Sequence, residues 1–70
     1  MRSDRLVEQL SEKELAVLRY YPSTLSLREI ASELYVSLNT VKTHSAAIHR
    51  KLAVSSRADA VTAARRLGLI

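Results

Sequence analysis

Apolar residues recur along the chain three and four positions apart, and a serine stands ahead of each recurring run. This spacing lines one face of an α-helix, so the pattern predicts helices separated by short breaks. Ser11 with Glu14 has the spacing of a capping box, and Leu10 can staple to Leu15. A first helix is predicted from there to about Tyr20, with Leu15, Leu18 and Val17 turned inward. Pro22 stops it, because the residue before a proline is pushed out of helical geometry. The same start recurs at Ser26 and Glu29, with Leu25 and Ile30 as the staple. A second, short helix is predicted over 27–34, burying Ile30, Ala31 and Leu34. Residues 35–37 form a tight connection, with Val36 expected to anchor it in the core. Ser37 then caps a helix of about four turns that runs to Leu52. At ~100° per residue, Val41, Ser45, Ile48 and Leu52 share one side of it. Asn39, Lys42, Thr43, Ala46, His49 and Arg50 share the other. Ser56 and Asp59 open a fourth helix from near Arg57 to about Leu67, and Gly68 supplies its stop. No stretch alternates with the period of a strand. The expected fold is all-α, four helices forming one domain over 10–70, with 1–9 a lead-in expected to be disordered.

Charge sharpens this picture. The net charge of +4 is unevenly placed. Residues 1–34 hold five cations and six acids, whereas 35–70 hold six cations and one acid. Between Val36 and Ala58 stand Lys42, Arg50, Lys51 and Arg57 and no Asp or Glu. A long helix with an apolar back and a basic, hydrogen-bonding front suits the major groove of DNA, which is wide enough to admit it. Two helices joined by a short turn, the second one basic, make a helix-turn-helix. A membrane surface is the weaker partner, because no stripe of large apolar residues accompanies the basic face. No apolar run approaches the length needed to span a bilayer. The N-terminus lacks a signal-peptide core, so a cytoplasmic location is expected.

Composition excludes several chemistries. With no cysteine there is no disulfide and no thiolate metal site. Two histidines are too few for a usual structural zinc site, and no cofactor motif is present. No nucleophile–base pair or glycine loop supports an enzyme. Glu14 and Glu29 read as caps rather than catalytic acids, since a carboxylate at a helix start also complements the helix dipole. Arg57 is expected to pair with one of them. His44 lies beside the apolar side and is expected to be a packed, hydrogen-bonded structural residue.

The residues Leu10-Ser11-x-x-Glu14-x-x-Val17-Leu18, Glu29-Ile30-Ala31, Leu34-Tyr35-Val36-Ser37 and Thr40-Val41-Lys42-Thr43-His44 carry a family likeness. So do Ile48, Lys51-Leu52, Val54, Arg57, Ala60-Val61 and Ala64. The chain resembles the LuxR-type (NarL/FixJ-like) helix-turn-helix DNA-binding domain of bacterial transcription regulators. The turn Tyr21-Pro22-Ser23-Thr24-Leu25-Ser26 looks most like regulators that carry this domain at their C-terminus, which would make the chain an output module. The resemblance implies a third helix in the major groove of double-stranded DNA and a homodimer through the fourth. It implies base-reading by Lys42, Thr43 and Ala46. Phosphate contacts are implied for Ser26, Ser37, Asn39, Thr40, Arg50 and Lys51, and dimer contacts for Ala60, Val61 and Ala64. The other reading of this stripe is an Ala-rich edge of the core. Three positions depart from the family. Relatives often have a basic or larger polar residue where Ala46 stands, an aromatic where His49 stands, and a glycine where Ala53 stands. The alternative function is a helical protein-interaction module that contacts RNA polymerase as a sigma-like domain would, using the same basic face on an acidic partner.

Overall fold

The computed structural model describes residues 10–70, and the expected disorder of 1–9 lies outside them. The described residues form four helices and no strand. They are α1 (Glu12–Arg19), α2 (Leu27–Leu34), α3 (Leu38–Leu52) and α4 (Arg57–Arg66). Each begins where a serine ends the preceding loop. Ser11, Ser26, Ser37 and Ser56 are all extended N-caps, and each side chain accepts the backbone N–H three residues on. The two capping boxes expected at Ser11/Glu14 and Ser26/Glu29 are both formed. Helix starts therefore follow from local chemistry that satisfies otherwise orphaned donors.

Helix ends repeat one closure three times. The backbone N–H of Val36, Val54 and Leu69 reaches back to the carbonyl of Ala31, His49 and Ala64 respectively. Just before each stands a left-handed residue, Tyr35 (φ 58), Ala53 (φ 57) or Gly68 (φ 78). Only the last is a glycine. At Tyr35 and Ala53 the Cβ crowds the following carbonyl, which costs about 1 kcal/mol each relative to glycine. The residues that end the two helices are thus conformationally disfavoured, and the packing of the helices holds them.

The third helix lies at the centre, packed against each of the other three. Its apolar side carries Val41, Ile48 and Leu52 into a core that also takes Leu10, Val17, Leu18, Ile30 and Ala31. Val36 does not anchor the turn in this core. It is 40% exposed, because the left-handed Tyr35 turns the chain outward and leaves the side chain at a groove edge. Tyr35 itself is 95% exposed.

Tyr21 is buried and joins three segments. Its hydroxyl hydrogen-bonds Ser45 Oγ and lies 3.1 Å from His49 Nε2, both on α3. The Arg57 guanidinium sits 5.2 Å from its ring centre. The same guanidinium donates to three carbonyls, those of Tyr21 (3.0 Å), Tyr20 (3.1 Å) and Ser23 (3.2 Å). Arg57 is therefore structural, but its partners are the carbonyls of the turn after α1 and not an acid. The Tyr20 carbonyl also accepts from Ser23, but the turn leaves those of Tyr21 and Ser23 without helical donors, and a planar five-donor group at the start of α4 can reach all three. Burial raises the Tyr21 hydroxyl above its ordinary titration range, against the opposing pull of the Ser45 hydrogen bond and the Arg57 charge.

Candidate nucleic-acid interface

The exposed side of α3 carries Asn39, Lys42, Thr43, Ala46 and Arg50. Lys42, Ala46 and Arg50 are spaced four apart and stand one above another, with Thr43 beside Ala46. From Asn39 to Arg50 this face runs roughly 16 Å at 1.5 Å per residue, enough to cross a major groove about 12 Å wide. It contains two cations and no acid. The apolar back of α3 is buried under the other helices, so this face is the one the fold leaves open.

The start of α3 differs from the other helix starts. Glu12 and Glu14 lie in the first turn of α1, Glu29 in that of α2 and Asp59 in that of α4, whereas α3 has no acid there. A carboxylate at a helix start neutralises the positive end of the dipole, and without one the end can attract a phosphate. Ser37 and Thr40 share that start. Ser37 Oγ accepts from the Thr40 N–H at 3.1 Å and lies 2.9 Å from the Thr40 hydroxyl. Ser26, at the start of α2, is placed differently. The Glu29 carboxylate receives its N–H at 2.8 Å, so only the Ser26 hydroxyl hydrogen is left to meet a phosphate, beside an acid that repels one.

Lys51, expected at a phosphate, is engaged within the fold. Its ammonium lies 2.8 Å from Glu14 Oε1, and the side chain is only 26% exposed. Lys51 sits on the α1 side of α3, where the near-buried Glu14 carboxylate draws it in, so it ties two helices together. Burial by itself raises the Glu14 carboxyl. The hydrogen bond from Lys51, the Ser11 N–H and the charges of Lys51 and His44 outweigh that, and hold the group below the ordinary carboxylate value. His49 also leaves the outward face on which helical phase had put it. Its ring meets Tyr21 edge-on at 5.8 Å and is partly buried. His44 lines a small apolar groove with Lys13, Ala16, Val17, Leu34 and Val36, in keeping with a packed residue.

Two of the three residues expected at the dimer interface are interior. Ala60 and Ala64 are fully buried in the chain's own core, where α4 packs on α3. They present no surface to a second copy. Of the three residues, only Val61 reaches the surface, and it remains partly packed on the core. The Ala-rich edge of the core accounts for the other two. Tyr21 and the chelating role of Arg57 were not foreseen. Their only local signal was an aromatic and a cation beside a turn that breaks a helix.

Four caps, a two-helix unit at a short turn and an open basic face on the second helix define a helix-turn-helix protein. The family model described as bacterial regulatory proteins, luxR family, matches residues 8–64, and the chain belongs to that family. It is a helix-turn-helix domain of DNA-binding transcription regulation. It is 40% identical over its whole length to the transcriptional regulatory protein YdfI of Bacillus subtilis, covering 33% of that protein. Over 61 residues, 87% of the chain, it is 46% identical to the probable transcriptional regulatory protein NarL of Mycobacterium tuberculosis, covering 28% of it. Among solved structures it matches the response regulator ChrA of a heme-sensing two-component system. That match has a TM-score of 0.83 and 44% identity, and covers 87% of this chain and 30% of that one. The chain thus spans about a third of the length of the relatives it matches. No helix among the described residues is long and apolar enough to cross a membrane.

Proposed function

We propose that this chain is the sequence-specific double-stranded DNA-binding module of a longer bacterial transcription regulator, acting by non-covalent binding. The third helix enters the major groove. Lys42 donates to the guanine edge, with Thr43 and Ala46 against neighbouring bases. Ser37, Asn39 and Thr40 at the acid-free start of α3, and Arg50 towards its other end, hold phosphates. Ser26 contributes a weaker contact. Phosphate contacts set register, and base contacts set preference. The observation that carries this reading is the open α3 face, cationic and without an acid, on the second helix of the helix-turn-helix unit.

Two copies pair through the outer side of α4, where Val61 stands beside the exposed Ala58 and Thr62. Such pairing matches two half-sites about one helical turn apart. The test is a gel-shift series comparing a duplex selected from a random pool with scrambled duplexes. The selected duplex should be retained in excess of scrambled competitor. Absence of any duplex binding would favour a sigma-like module that contacts RNA polymerase.

A further inference from the structure

The hydroxyl of Thr43 does not point its hydrogen outward. Thr43 Oγ1 donates to the carbonyl of Asn39, one turn back on the same helix, at 3.0 Å. With that hydrogen engaged, Thr43 cannot donate to guanine O6 or N7, adenine N7 or thymine O4. It offers its surroundings a methyl group and the remaining lone pairs of its oxygen. Three residues on stands Ala46, exposed, with nothing beyond its Cβ. Side chains three apart on a helix are neighbours, with Cβ atoms about 5–6 Å apart. The two methyls therefore form one small apolar patch at the centre of the open face. Lys42 flanks it as a pure hydrogen-bond donor.

We infer that Thr43 and Ala46 read pyrimidine C5-methyl groups, so that the preferred DNA carries thymine, or 5-methylcytosine, at the one or two positions facing this patch. This rests on α3 being the reading helix and adds which bases it prefers. Thymine is the one ordinary base that shows a methyl in the major groove. Lys42, directly beside the patch, suits guanine, so the patch and the lysine together specify a guanine with thymines beside it. Methylation of a cytosine at the patch supplies the same methyl, which makes binding sensitive to that modification.

The experiment uses the whole 70-residue chain and the duplex it prefers from a random pool. Each thymine is replaced singly by deoxyuridine, which removes the methyl and nothing else from the groove edge. At the positions where thymine matters, cytosine and 5-methylcytosine duplexes are also compared. Deoxyuridine should weaken binding about threefold to tenfold at one or two positions, as expected for losing one buried methyl. 5-Methylcytosine should bind better than cytosine there by a similar factor. Thr43→Ser keeps the bond to Asn39 and lacks the methyl, so the deoxyuridine penalty should vanish at one of these positions. Ala46→Gly, which deletes that methyl, should do the same at the other. Selective binding that is indifferent to every thymine methyl overturns the methyl reading and leaves the DNA-binding proposal standing. A chain that binds no duplex, or all duplexes alike, overturns both.

Discussion

Lys51 and Glu14 show how a single contact can move a residue from one role to another. Considered along the helix, Lys51 is one more cation beside a basic face. In the fold it neutralises a nearly buried acid that also caps α1. The pH consequence follows from the lowered Glu14 carboxyl. A carboxyl whose folded value lies below its unfolded one stabilises the fold at pH above the unfolded value. That stabilisation is lost as pH falls through the folded value, because the unfolded chain then binds the proton more readily. Glu14→Gln can still cap the helix but cannot form the ion pair. It should melt below the parent at neutral pH, and the gap should narrow as the solution is acidified below the ordinary carboxylate range. Melting curves by circular dichroism across that range check this, and a gap that stays constant to low pH would assign the role of Glu14 to capping alone.

At the scale of the element, α3 was legible because two periodic signals coincide on it. Its apolar residues repeat with the helix, and its outward residues are polar and basic. The four starts were legible for a similar reason, since a serine and the residues just after it make a cap without help from the rest of the chain. Residues whose roles depend on other segments were not legible. Tyr21 and Arg57 meet across 36 residues, and nothing in the helical period reports which turn carbonyls a distant guanidinium will reach. Ala60 and Ala64 looked like one stripe with Val61, yet the packing of α4 on the core buries two and leaves the third partly open. The same reasoning gives a prediction for the α1–α2 turn. Arg57→Ala takes the donor from the Tyr21 and Ser23 carbonyls, while that of Tyr20 keeps Ser23, and should destabilise the domain by about 2–3 kcal/mol. Arg57→Lys should recover little of this, because an ammonium lacks the planar fork that spans them. Chemical denaturation of both variants measures it, and near-parental stability of the lysine variant would show that charge alone suffices.

For the whole molecule, the cations of the second half divide between the fold, which uses Lys51 and Arg57, and the open face, which carries Lys42 and Arg50. Residues 35–70 carry five more positive than negative charges, and the open face of α3 lies among them. Binding driven by neutralised phosphates loses affinity with salt in proportion to their number. The log–log slope of affinity against salt should therefore be steep. Arg50→Ala should lower it by about one unit, whereas Lys51→Ala should leave it nearly unchanged because that ammonium is held by Glu14. An equal loss of slope in both variants would return Lys51 to the phosphate contacts.

The central claim is that the open side of α3 reads bases, and Lys42 is where it is most exposed to refutation. Its position in the second turn matches the part of a recognition helix that goes deepest into the groove. The direct measurement is the affinity of the parent chain and of Lys42→Ala for every single-base variant of the preferred duplex. The account predicts a loss of about 1–3 kcal/mol on the best site and a relaxed preference at one base pair, a guanine, with the others kept. A uniform loss across all variants, with the parent's base preferences intact, would show that Lys42 only holds a phosphate and that the reading face lies elsewhere.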